Sequence, residues 1–270
     1  MADPIPAVAE AAATGEIAAI FADIRAVYRV GVVNLIWRHL ATIDGALPWA
    51  WAALRPSYVD GSVAAAADAL RSRMSLPALP ALPEPVLGAA GLDAQAMTGV
   101  GAVLAAYDRT NAMALVALSA LERVLLGVTG GTRVPAASTP SHAVQEIALP
   151  PLPDLAALSP DTSALVTMLN RYGATSDTPI LASMYRHLAP WPPYLALAWA
   201  LLTPLAEDGR LATAITGVRA QAAAIDLPLT ATAPADPLRG RIAAALAPFT
   251  AEVIAKMVAI CAMLRRATPG

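Results

Sequence analysis

The chain contains one cysteine, Cys261, so an intramolecular disulfide, a thiol redox pair and a thiolate metal cluster are all excluded. Phenylalanine is almost as scarce, with two residues, and only 14% of positions are charged. The net charge is −2 and the basic residues form no stripe, so electrostatic capture of nucleic acid has no support. The alternation of apolar and polar residues that marks a half-buried strand is also missing. MADPIPAVAEAAATGE lacks a cationic start followed by an apolar core, so no secretory signal is expected and cytoplasmic residence is the default.

Hydrophobic residues, by contrast, make up 57% of the chain, and the mean hydropathy is +0.56. A membrane is not expected. The longest charge-free run, His187 to Ala206, holds Pro190, Pro192, Pro193 and Pro204. These leave an uninterrupted apolar helix shorter than the ~20 residues a span requires. A tightly packed soluble protein with a substantial self-association surface explains the composition better, and a homodimer is the expected assembly.

Helical periodicity dominates, so the fold class expected is all-α. The stretch from Val33 to Pro56 occurs twice: shifted forward by 148 positions it lies on Leu181 to Pro204 without a gap, with ten of 24 positions identical. Arg38 and His39 match Arg186 and His187, and Trp51 matches Trp199. The organisation expected is a first helical repeat over 1–126, a linker rich in Pro, Gly and Ser over 127–160, and a second repeat over 161–270. Together these form one pseudo-dimeric unit. Predicted helices include Val32–Ala41, Ala94–Tyr107 and Thr110–Leu126 in the first repeat, and Pro179–Leu188, Pro237–Ala247 and Thr250–Arg266 in the second. The Pro-rich stretch Leu76 to Pro85 should run extended.

Residues shared by both copies read as scaffold. A catalytic histidine rarely needs a twin, and no acid or thiol stands at ligand spacing from His39 or His187, so both read as packing or hydrogen-bonding groups and no metal site is expected. Arg38 and Arg186 read as structural donors. His142, in the linker, is given no role. Divergence between the copies is more informative. Tyr28-Arg29-Val30-Gly31 stands opposite Ser176-Asp177-Thr178-Pro179, an aromatic and a base against a serine and an acid. Thr178 before Pro179 also suits a helix N-cap with proline at the first helical position, and Asp177 would complement the helix dipole there. Asn111 lies opposite Ala251, and Asn34 opposite Ala182. An amide inside an apolar helix is costly to bury without partners, so each is a site candidate or a surface or capping group.

The duplicated helical plan, the segment VVNLIWRHLATIDGALPWAWAALRP, the asparagine in YDRTNAMAL and the Ser176-Asp177 turn resemble the group I 2-haloacid dehalogenases, from about Glu16 to Arg266. The resemblance implies a hydrolase without a cofactor that replaces the halogen of short 2-haloalkanoic acids by hydroxide between the two repeats. It implies Asp177 as the group that activates water and Asn111 as the amide that holds it. Ser176 and the backbone N–H groups from Thr178 to Ile180 are the first choice for the substrate carboxylate, since helix N-termini favour anions, with Arg29 as a further candidate. Members of this family wall the pocket with aromatics where this chain has Val32, Val33, Asn34 and Leu35, so a wider or more polar pocket is expected. A carboxylate of ordinary pKa near ~3.9 is ionised at neutral pH and takes a proton from water when apolar walls keep bulk solvent away. An alternative of another class is a non-catalytic helical protein that binds a small carboxylate or apolar ligand in the same cleft.

Overall fold

The computed structural model describes residues 5–128, 130–133, 149, 152–227 and 229–269. The all-α class holds: the chain is 70% helical, and the described residues form a single two-residue strand pair, β1 (Thr132–Arg133) running parallel to β2 (Ile225–Asp226). The first repeat supplies α1 (Gly15–Tyr28), α2 (Leu35–Leu40), α3 (Ala46–Val59), α4 (Ser62–Arg73), α5 (Glu84–Ala89) and α6 (Ala94–Leu126). The second supplies α7 (Pro160–Arg171), α8 (Ser183–Leu188), α9 (Pro192–Glu207), α10 (Arg210–Ala224), α11 (Asp236–Pro248) and α12 (Ile254–Ala267), with a π-turn at Phe249–Val253 joining the last two.

Local chemistry repeats with the sequence. Asp60 accepts the amide hydrogen of Ser62 at 2.8 Å, and Asp208, 148 positions on, accepts that of Arg210 at 3.0 Å. The residues between, Gly61 and Gly209, hold φ of 83° and 81°, a left-handed conformation that a side chain would strain. α6 and the α11–α12 rod are the long elements of the two repeats, and the most extensive helix pairing in the molecule is α6 against α12. Asp236–Ala267 is long and apolar enough to cross a bilayer, yet 83% of its most apolar window is buried inside the protein, as befits a core rod.

The structure departs from the sequence reading in four places. α6 runs unbroken through the joint expected at 108–109, because Asp108 is buried in an ion pair with Arg71 at 2.9 Å and in a second with Arg265. α2 and α8 begin three to four residues later than predicted, at Leu35 and Ser183. The Pro-rich stretch is extended as far as Pro83, the N-cap of α5, whose helix takes Pro85 into its first turn. Residues 134–148 of the linker, His142 included, lie outside the described residues; its flanks contain β1 and a 3₁₀ turn at Leu155–Ala157.

Candidate active site

The late starts of α2 and α8 leave two short approach segments, and these meet across a cavity of about 280 Å³. Val32, Val33, Asn34, Leu35 and Ile36 line one side; Ile180, Leu181, Ala182, Ser183 and Met184, their equivalents at the 148-residue offset, line the other. The cavity therefore lies between two segments that correspond at the 148-residue offset. Tyr107 and Asn111 from α6, Phe249, Val253, Ile254 and Met257 from the π-turn and α12, Arg38 and His187 from α2 and α8, and Ala9, Glu10 and Leu152 complete the walls. A π-turn offsets the helix face it interrupts and recurs at functional sites.

Each approach segment is held by polar side chains, half-buried on the first and buried on the second. On the first, Val33 donates its amide hydrogen to Glu10 at 2.8 Å, and Arg25 meets the other oxygen of that carboxylate at 2.5 Å. On the second, the Asn170 side chain donates to Ile180 O at 3.2 Å and accepts from Ala182 N at 3.0 Å. This amide clasp draws residues 180–182 out straight, so Thr178 and Pro179 are not the start of a helix. The anion site expected at the Thr178 to Ile180 helix N-terminus is corrected accordingly.

The predicted site residues divide. Val32, Asn34, Leu35 and Asn111 line the cavity. Asn111 is buried, and its Nδ2 has no hydrogen-bond partner among the described residues, an unspent donor in a largely apolar hollow. Ser176, Asp177 and Thr178 are exposed and outside the cavity lining, as is Arg29. The expectation that Asp177 faces Asn111 across the cavity is thus not met: the carboxylate sits on an exposed turn, three residues before the cavity-lining Ile180. Arg29, its counterpart, adopts φ of 53°, and its charge together with burial lowers the pKa of Arg109.

Five polar cavity residues were not expected from the sequence: Glu10, Arg38, Tyr107, Ser183 and His187. Arg38 lines the wall; its Nε donates to Val33 O at 3.2 Å, and among the described residues its terminal nitrogens have no hydrogen-bond partner. His187 is buried, with Nδ1 2.6 Å from the Tyr107 hydroxyl, and both line the cavity. Burial pushes the Tyr107 hydroxyl pKa up, which keeps it protonated. Among the described residues no three of His, Cys, Asp and Glu come together to hold a metal ion.

No family model matches the chain. A configuration-inverting 2-haloacid dehalogenase of Alcaligenes xylosoxydans xylosoxydans is 31% identical over 214 residues, covering 75% of this chain and 70% of the relative. The chain belongs to the 2-haloacid dehalogenase family. Among solved structures, a D-2-haloacid dehalogenase mutant superposes with a TM-score of 0.80 at 21% identity, covering 99% of this chain and 97% of its own. The complex of a D-2-haloacid dehalogenase with L-LA gives 0.78 at 19% identity, with the same coverage. These two likenesses speak for the fold.

In this dehalogenase the charged groups behind the cavity are as ordered as its walls. Glu252, in the π-turn, is buried and accepts from Thr175 N at 3.0 Å, Thr175 Oγ1 at 2.8 Å and Ser176 N at 3.0 Å. Lys256, the chain's only lysine, is fully buried and donates to the main-chain oxygen of Asn170 at 2.6 Å. Burial lowers its pKa to about 8 against the opposing pull of Glu252.

Proposed function

We propose that this protein hydrolyses short 2-haloalkanoic acids to 2-hydroxy acids in the cavity between its repeats, with inversion at C2. The single observation that carries the reading is the buried Asn111, lining a mostly apolar cavity with its Nδ2 unpartnered among the described residues, in a chain of the 2-haloacid dehalogenase family. Arg38 takes the substrate carboxylate: a guanidinium in an apolar wall offers two parallel charge-assisted hydrogen bonds. Asn111 orients the attacking water. That water's oxygen forms the new bond to C2 as the carbon–halogen bond breaks on the opposite side, the halide leaves with the bonding pair, and the water's proton passes to a base. Aliphatic neighbours such as Val32, Leu35 and Ile180 suit the halogen.

Asp177 is the base of this reading, delivered when the tip of its turn rotates toward the cavity. A second reading follows from the position of His187 on the cavity wall, where Asp177 is absent: the imidazole takes the proton while Tyr107 orients the ring. Assembly as a cytoplasmic homodimer belongs to the same proposal, supported by Leu126 and Val128, which are 73% and 51% exposed.

Halide release from racemic 2-chloropropionate tests the activity, and Asp177→Asn and His187→Gln separate the bases. Asp177→Asn is expected to lower kcat by about 10²- to 10⁴-fold. Wild-type rates in Asp177→Asn with loss in His187→Gln would move the base to the histidine. Single-turnover hydrolysis in heavy-oxygen water then reads the mechanism: label goes directly to the hydroxy acid when water attacks, and label in a protein carboxylate would instead require an ester intermediate. A wild-type protein that releases no halide ends the reading altogether.

A further inference from the structure

The turn that carries Asp177 is fastened on both legs, and the fastenings converge on one buried polar network behind the cavity. Its first leg rests on Glu252, whose Oε2 takes three hydrogen bonds from Thr175 and Ser176, ending one residue before Asp177. Its second leg rests on Asn170, which holds Ile180 and Ala182 where they line the cavity. Lys256 lies one turn beyond Glu252 on the same rod, and its Nζ holds Asn170 from behind. Gly173 starts the turn at φ of 68°, with the Ile215 side chain filling the place a Cβ would take. What remains less fastened is the short tip Asp177-Thr178-Pro179, where among the described residues the side-chain tie is from Thr178 N to Ser176 Oγ at 3.2 Å.

A carboxylate that is 92% buried, as the 8% exposure of Glu252 implies, is costly to desolvate. Here its charge-assisted bonds all go to one surface turn rather than to another core element. The same rod carries Val253 and Met257 of the cavity wall, so Glu252 ties the position of the turn to the position of the cavity. The first repeat uses a carboxylate similarly, Glu10 on Val33, but that one fastens a wall residue directly and no acid follows it.

We propose that Glu252 and Asn170 are positioning residues for the dehalogenation. Between them they fix both legs of the turn, so that the tip alone rotates and brings Asp177 onto the water held by Asn111. This rests on the reading of Asp177 as the base.

The test uses the full chain, halide release from 2-chloropropionate and thermal melting. Glu252→Gln keeps the shape and an acceptor oxygen but loses the charge; it is expected to lower kcat tenfold or more, with KM changed less than threefold. Thr175→Val removes one of the three donors from an exposed residue, leaves melting unchanged, and should lower kcat three- to tenfold. Glu252→Asp, which keeps the charge on a shorter arm, should recover part of the loss in Glu252→Gln. A merely structural role predicts lower melting temperatures with kcat intact well below melting. Activity lost in Asp177→Asn but intact in folded Glu252→Gln and in Thr175→Val overturns the clamp alone. Activity that survives Asp177→Asn overturns the Asp177 assignment and the clamp with it. Should Glu252→Gln not fold, Thr175→Val decides the question by itself.

Discussion

The tetrapeptide Arg-His-Leu-Ala stands at the end of α2 and again at the end of α8, and the two copies do different work. In the first, the arginine lines the cavity and the histidine turns away, its Nδ1 2.7 Å from Pro6 O. In the second, the histidine lines the cavity against Tyr107, and the arginine turns away to donate twice to Pro153 O, at 2.9 and 2.5 Å. Each repeat thus gives the shared hollow the residue that the other withholds. Identity between fused copies shows a common ancestor for the two segments; it does not show a common role, because once two halves sit on one chain, each position can find separate partners.

The sharpest way to break this comparison is to make the same change in both copies. Arg38→Met removes the proposed carboxylate partner, and the loss of a charge-assisted pair in an apolar wall is worth about 2–4 kcal/mol, or roughly 30- to 10³-fold in kcat/KM. Arg186→Met removes two bonds to a carbonyl, and its expected effect is a lower melting temperature with KM unchanged. Steady-state kinetics and melting curves on both variants check the pair; equal kinetic losses would mean that the two arginines are equivalent after all.

Much of this was legible in the residues, and what was missed has physical reasons. The helical period and the 148-residue offset were enough for an all-helical plan, and the divergent amides Asn34 and Asn111 do line the cavity. Arg38 and His187 were set aside as scaffold because they are duplicated, a rule that fails at a cavity walled by both corresponding segments. Asp108-Arg109 read as a break in α6 because two charged residues side by side resemble a surface joint; nothing local says that Arg71 and Arg265 arrive to neutralise Asp108. The direction of Asp177 was not legible either. Thr-Pro signals a helix start locally, and Asn170 overrides it from another helix. Glu252 and Lys256, at i and i+4 and the only charged residues between Ile242 and Leu264, were the one signal that could have revealed the clamp, since an apolar stretch of helix rarely buries an acid and a base without a use for them.

Lys256 supplies the next contrast. At the 140-residue offset that pairs Thr110 with Thr250, its first-repeat counterpart is Val116, equally buried and without charge. A folded-state pKa of about 8, below the value of 10.5 expected in the unfolded chain, means that the unfolded chain binds more protons between those limits. Stability should therefore rise as pH increases from about 8 to 10, by roughly 2–3 kcal/mol from this one group. From about pH 9 upward this gain is opposed and then overtaken, because the Cys261 thiol, its pKa pushed well up by burial, keeps a proton that the unfolded chain releases. The buried hydroxyls of Tyr28, Tyr58, Tyr107, Tyr185 and Tyr194, all pushed up by burial, then hold protons that the unfolded chain releases. Urea titrations at pH 7.5, 8.5 and 9.5 read the slope. Lys256→Met should flatten it; a slope that survives the substitution would assign it to another group.

The smallest effect belongs to the place where the copies truly agree. Asp60 and Asp208 make the same capping bond across glycines of nearly the same φ at the starts of α4 and α10. Neither caps a helix that reaches the cavity lining. Asp60→Ala and Asp208→Ala each remove an i to i+2 turn bond, and should lower the melting temperature slightly and to a similar extent while leaving halide release unchanged. Asp208 also meets Arg210 at 2.6 Å, but that pair is solvent-exposed and adds little. A clear difference in melting temperature between the two variants would mean that drift has reached even the turns, and that the likeness of the two turns is one of shape without being one of energy.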